Sequence, residues 1–171
     1  GQASHRVSQA GLARTYQTTQ LFGDLTVLEN IAVALKAGHP GSIFADAMSD
    51  ADLRDAEDLL VFVGYTGPLA RRASALPHID RRLVEVARAL ATRPKVLLLD
   101  EPAAGLTQDD KVQLAGLLRE IAATGIGVVV VEHDMSLVMS ISDSIVVLDG
   151  GQLLATGTPA EIRDNEDVRR A

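Results

Sequence analysis

The chain has 171 residues, 47% hydrophobic and 23% charged, which is the composition of an ordinary globular protein with room for one sizeable core or two small subdomains. Its formal net charge of −7 argues against a general affinity for nucleic acid or anionic lipid. With no cysteine, disulfides and thiolate metal sites are excluded, and no run of about 18 apolar residues is present to form a membrane span.

Residues 1–24 are polar and mixed, and Gln17-Thr18-Thr19-Gln20 precedes Leu21-Phe22-Gly23. Thr26-Val27-Leu28-Glu29 has the spacing of a capping box and predicts a helix to about Lys36, broken by His39-Pro40-Gly41. A second helix is predicted from about Ser49, with Leu53, Ala56, Leu60 and Val63 on one buried face and Gly64 as its stop. The acidic cluster at Asp50, Asp52, Asp55, Glu57 and Asp58 reads as its wet face. From about Ile79 to Thr92, Leu83, Val86, Ala87 and Leu90 recur at helical spacing. Arg81, Arg82, Glu85 and Arg88 occupy the remaining positions; Arg81-Arg82, like Arg71-Arg72, are expected on solvated helix faces, and Pro94 ends the helix.

The apolar run 96–99 predicts a buried strand that ends in Asp100 and Glu101, with Pro102 stopping it. A helix follows near 109–123, buried through Leu114, Leu117, Leu118 and Ile121. The unbroken run Gly127-Val128-Val129-Val130-Val131 predicts a second strand, covered on both faces as in a parallel sheet. A short helix over 135–141, with Met135 and Met139 as core residues, leads to a third strand at 144–148. Asp149-Gly150-Gly151 is a hairpin turn, and Thr158-Pro159-Ala160-Glu161 starts a last helix. The fold class is therefore α/β: a helical section at 24–92 packed on a partial parallel sheet from about 93 onward.

Ligands of open parallel sheets bind beyond the carboxyl ends of the strands. Asp100, Glu101 and His133 are expected to converge there, one carboxylate suited to Mg²⁺ and the next to orienting a water. His5, His39 and His78 have no metal-ligand spacing among themselves.

In this order and spacing the motifs resemble the nucleotide-binding subunits of ABC transporters, above all those of branched-chain amino acid importers. The likeness runs over essentially the whole chain. It rests on Gly11-Leu12-Ala13-Arg14-Thr15-Tyr16-Gln17, Leu25-Thr26-Val27-Leu28-Glu29-Asn30, residues 87–106 and Val131-Glu132-His133-Asp134-Met135. The resemblance implies a P-loop type ATPase sheet with a helical subdomain, ATP and Mg²⁺ as cofactors, and partners in a membrane permease and a second ATP-binding subunit, the same or different. It implies a cytoplasmic place on the inner face of the membrane, and the acidic, aromatic-poor composition leads to the expectation of no nucleic-acid partner.

Residue by residue, it makes Gln17 the Q-loop glutamine, touching Mg²⁺ or the attacking water. Asp100 becomes the metal-holding aspartate, Glu101 the catalytic glutamate and His133 the switch histidine at the γ-phosphate. Ala103-Ala104-Gly105-Leu106 falls on the D-loop at the dimer interface. It also divides the chain into a Q-loop region at 1–23, a helical subdomain at 24–92 and the remainder of the ATPase core at 93–171.

Two departures accompany the likeness. No Gly-x-x-x-x-Gly-Lys-Ser/Thr phosphate cradle occurs in the sequence, which opens on Gly1 and is expected to be the C-terminal two-thirds of an ATPase domain that does not bind ATP alone. The signature, ordinarily Leu-Ser-Gly-Gly-Gln, falls on Leu76-Pro77-His78-Ile79-Asp80. Pro77 lacks an N–H, Ile79 adds bulk and Asp80 adds negative charge, so a weakened composite site is expected. A non-transport ATPase of the same superfamily, or a regulatory partner that does not hydrolyse ATP, remain alternatives at this point.

Overall fold

The computed structural model describes residues 3–17, 20–37 and 49–170. They fall into two compact units, Gly1–Glu132 and His133–Ala171. The predicted break at residues 39–41 lies outside the described residues.

In the first unit, helix α1 (Ser4–Gln9) leads into strand β1 (Leu12–Arg14). The sequence predicts no element here, because three residues are too few for an alternation to register. Gly11, with φ +95°, makes the turn between them, and its carbonyl accepts the N–H groups of Lys95 and Val96 at 2.7 and 3.0 Å. That anchors β1 parallel to β2 (Val96–Asp100), with Arg14 opposite Leu98, and β2 in turn lies parallel to β3 (Gly127–Val131). Leu97 and Leu99 of β2 are fully buried.

β3 departs from the expectation of burial on both faces. Val129 and Val131 are 46% and 53% exposed, and β3 is an outer strand of the three. A β-branched run suits a covered strand and the outer face of an edge strand equally, so the residue types do not separate the two.

Between β1 and β2 the chain folds as helices α2 (Val27–Ala37), α3 (Asp50–Phe62) and α4 (His78–Leu90). The Thr26 capping box is present, and α3 starts from a second box formed by Ser49 and Asp52. Ala56, Leu60 and Val63 are buried and Gly64 ends the helix at φ +79°, as predicted, while Leu53, expected on the same face, is half-buried. On α4, Leu83, Val86, Ala87 and Leu90 are buried, also as predicted. Arg82 is a correction: expected on a solvated face, it is buried together with Glu85, 2.6 Å away. Their charges satisfy one another, which residue type alone cannot signal. Helix α5 (Gln108–Ala123), capped by Thr107 and Asp110, buries Leu114, Leu117, Leu118 and Ile121.

The second unit contains α6 (Met135–Ile141), the antiparallel hairpin β4 (Ile145–Asp149) and β5 (Gln152–Gly157), α7 (Pro159–Asp164) and α8 (Glu166–Arg170). Gly150 and Gly151 turn the hairpin with φ +54° and +80°. The third predicted strand thus pairs with its hairpin partner in a two-stranded sheet. Met135, expected in a core, is 46% exposed. Thr158 and Glu161 form the predicted cap, with Pro159 in the first turn. No helix of the described residues is long and apolar enough to cross a membrane.

The Thr26 N–H and hydroxyl donate to Glu29 Oε2 at 2.7 and 2.8 Å and hold its carboxyl below the usual glutamate value of 4.5. The folded state therefore binds fewer protons than the unfolded chain in that range. The cap's contribution is present above about pH 4.5 and is lost as the pH falls through the lower folded value. Urea melts between about pH 6 and pH 3 should show a shallower acid loss for Glu29→Gln than for the parent. Identical slopes would remove Glu29 as a source of acid sensitivity.

Candidate active site

The site is built where β1 and β2 leave the sheet side by side. Asp100 ends β2, and its carboxylate pairs with the Arg14 guanidinium at 3.0 Å. Arg14 ends β1 and also lies over the Tyr16 ring, 5.0 Å from its centroid. Both members of the ion pair are partly exposed, so it orients more than it stabilises.

Glu101 turns the chain with φ +43°, in the left-handed region that non-glycine residues seldom occupy, while its N–H still donates to the Val131 carbonyl at 2.9 Å. The turn swings its side chain to Gln17, whose Nε2 donates to Glu101 Oε2 at 2.7 Å. Two residues 84 positions apart thus meet through the parallel register of two short strands. Asp100, Glu101 and Gln17, selected from the sequence, lie together.

Beyond Pro102 the chain folds into a tight loop. The Ala104 N–H donates to the Glu101 carbonyl at 3.1 Å and the Ala103 N–H to Glu132 Oε1 at 2.8 Å. Glu132 receives no role from the sequence, and here it holds this loop against the end of β3. Gly105 has φ +73°, and a Cβ built on it would lie 3.5 Å from the His78 imidazole. Ala104 and Gly105 therefore adjoin the segment 76–80.

In that segment Leu76 is buried, and Pro77 is the N-cap of α4 without a side-chain cap bond. His78 is exposed, and Ile79 and Asp80 are half-buried in the first turn. Arg81 Nη2 donates to the Leu76 and Ser74 carbonyls at 3.1 and 3.3 Å and ties the segment down. His133 is exposed and opens the second unit, directly after Glu132. Asp134 caps α6 through the N–H groups of Ser136 and Leu137.

Arg14, Tyr16 and Glu132 are the contacts the sequence did not single out. Glu132 stands next to His133, and Arg14 and Tyr16 next to Gln17, in motifs already marked, which was the available signal.

Residues 2–104 match the family model described as ABC transporter. The chain belongs to that family. Residues 152–171 match a further model, described as Branched-chain amino acid ATP-binding cassette transporter. Among relatives of this ABC chain, the high-affinity branched-chain amino acid transport ATP-binding protein BraF of Pseudomonas aeruginosa is 38% identical over all of the chain and 71% of the relative. LivG of Escherichia coli, which bears the same description, is 40% identical with the same coverage. The solved ADP conformation of MJ1267, an ATP-binding cassette of an ABC transporter, superposes with a TM-score of 0.84 at 27% identity. That match covers 99% of this chain and 70% of the solved one. The α/β cassette fold expected from the sequence is the fold of these relatives.

Gly105 gives this ABC loop a direct stability test. Ala at φ +73° meets the left-handed strain of about 1–2 kcal/mol, while its Cβ would make only ordinary contact with His78. Gly105→Ala should lower unfolding free energy by that amount in urea melts, and Gly105→Asn by less, because Asn tolerates this backbone better. Equal stability of all three proteins would show that the loop relaxes out of the conformation described.

Proposed function

We propose that this chain belongs to the ATP-binding and ATP-hydrolysing subunit of an importer that drives uptake of a branched-chain amino acid. The observation that carries the reading is the Gln17–Glu101 hydrogen bond beside Asp100, in a chain related along its whole length to such subunits. Phosphoryl transfer asks little covalent chemistry of a protein and much positioning of water and charge. Two adjacent carboxylates with different partners, one facing a guanidinium and one a neutral amide, answer that need.

Glu101 is the group that accepts a proton from, or aligns, the attacking water, and Gln17 holds its carboxylate in place. His133 is the donor to the terminal phosphate. The donor set fits Mg²⁺: Asp100 supplies a partly exposed carboxylate and Gln17 an amide oxygen, hard ligands for an ion that takes the rest of its shell from water and phosphate. When bound, Mg²⁺ would supply positive charge against that developing on the transferred phosphoryl group.

The segment Leu76, Pro77, His78, Ile79 and Asp80, with Ala104 and Gly105, is the face offered to the nucleotide of a second ATP-binding subunit. Pro77 at the N-cap and Asp80 in the first turn reduce the donors and the positive field of the α4 N-terminus, so this composite site is the weaker one of a pair. Residues 1–23 form the Q-loop region. Residues 24–92 are the helical subdomain, residues 17–75 are the part that meets the membrane permease, and 93–171 completes the core. The subunit works on the cytoplasmic side, peripheral to the membrane.

Glu101→Gln in the full-length subunit should slow ATP hydrolysis by about 10²-fold or more while nucleotide binding is retained. Single-turnover hydrolysis and calorimetric titration read the two quantities separately. Retained turnover would remove Glu101 from the catalytic role. With its permease in vesicles, the parent protein should support ATP-dependent uptake of leucine, isoleucine or valine, and uptake of none of them would overturn the assigned solute.

A further inference from the structure

Arg82 and Glu85 of α4 are the buried charged residues among those described, 1% and 2% exposed. A buried ion pair is poor at stabilising a fold, because desolvation offsets its attraction and apolar residues of similar volume often replace it without loss. This one touches the loop that carries Gln17. Arg82 Nη1 donates to the Tyr16 carbonyl at 3.4 Å as well as to Glu85 Oε2 at 2.6 Å. Burial pushes the Glu85 carboxyl up, while Arg82 and the backbone amides of Gln20 and Tyr16 favour its charged form.

Farther along, the fully buried Asn30 of α2 accepts the Phe22 N–H at 2.9 Å and donates to the Phe22 carbonyl at 3.1 Å. The Arg88 guanidinium lies over the Phe22 ring, 5.5 Å from its centroid. The segment leaving β1 is therefore fixed at Tyr16 by one pair of α4 charges and at Phe22 by Asn30 and Arg88. Gln17 stands directly after the first anchor.

We infer that the buried Arg82–Glu85 pair positions Gln17 against Glu101 by holding the Tyr16 backbone. Neither residue touches a reacting atom; both act through Gln17, and the inference rests on the roles given to Gln17 and Glu101 above. It explains why α4 keeps two charges where its helical neighbours are Leu83, Val84 and Val86.

The test uses single-turnover ATP hydrolysis, nucleotide titration and thermal melts of the full-length subunit. The variants are Arg82→Met, Glu85→Gln, Gln17→Ala, the apolar replacement Arg82→Met with Glu85→Leu, and Arg82→Met combined with Gln17→Ala. Arg82→Met should lower the hydrolysis rate about 10-fold or more with nucleotide affinity held within about 2-fold. The apolar replacement, which keeps the helix packed even where Arg82→Met alone does not fold, should recover the melting temperature and keep the slow rate. Combined with Gln17→Ala, Arg82→Met should add less than about 2-fold, because both act on one contact.

A rate that returns with stability in the apolar replacement would overturn the inference, as would effects that multiply in the combined variant. If Gln17→Ala slows hydrolysis and neither Arg82→Met nor Glu85→Gln does, the positioning role alone fails. If Gln17→Ala leaves the rate unchanged, the assignment of Gln17 fails and the inference falls with it.

Discussion

The parallel pairing of β1 with β2 is the constraint on which the site depends. β1 has three residues, and their register places Arg14 opposite Leu98, so both strands leave the sheet at nearly the same level. A slip by one residue would turn every side chain to the other face and part Gln17 from Glu101. Ladder bonds at both ends prevent the slip: Gly11 accepts from Lys95 and Val96, and the Thr15 N–H donates to the Leu98 carbonyl at 2.9 Å. Between the two strands runs a helical section that would add closure entropy if it were loose. Among the described residues, α2 and α3 start from capping boxes and α4 buries Leu83, Val86, Ala87 and Leu90, so these helices are not loose.

From that register comes the chemical asymmetry of the site. Asp100 and Glu101 are neighbours in sequence, yet the first meets a guanidinium and the second a neutral amide. Both partners come from one short stretch, Arg14 and Gln17, at the exit of β1. The left-handed backbone of Glu101 parts the two carboxylates, and the loop hydrogen-bonded to its carbonyl and to Glu132 fixes that turn in place.

Elements with a local signal were legible in the sequence. Thr26 with Glu29 and Thr158 with Glu161 announce helix starts that the structure contains, and the spacing of Leu114, Leu117, Leu118 and Ile121 gives the buried face of α5. The strand ending in Asp100 and Glu101 was readable because apolar run, carboxylates and proline come in succession. What was hidden depends on partners distant in the chain. β1 is too short to show a period, β3 owes its exposure to its place in the sheet order, and Arg82 with Glu85 are buried because each neutralises the other. No residue type carries that information alone. Met135 shows the same limit on a short helix, where helical spacing does not establish which side is covered.

The central claim is that Gln17 and Glu101 act as one unit, and a double-mutant cycle in single-turnover ATP hydrolysis tests it most directly. Gln17→Ala, Glu101→Gln and the double variant of the full-length subunit would be compared with the parent. The contact at 2.7 Å predicts that the double variant is no more than about 2–3-fold slower than Glu101→Gln alone. Two penalties that multiply would mean that the residues contribute independently, and would contradict the account of the site.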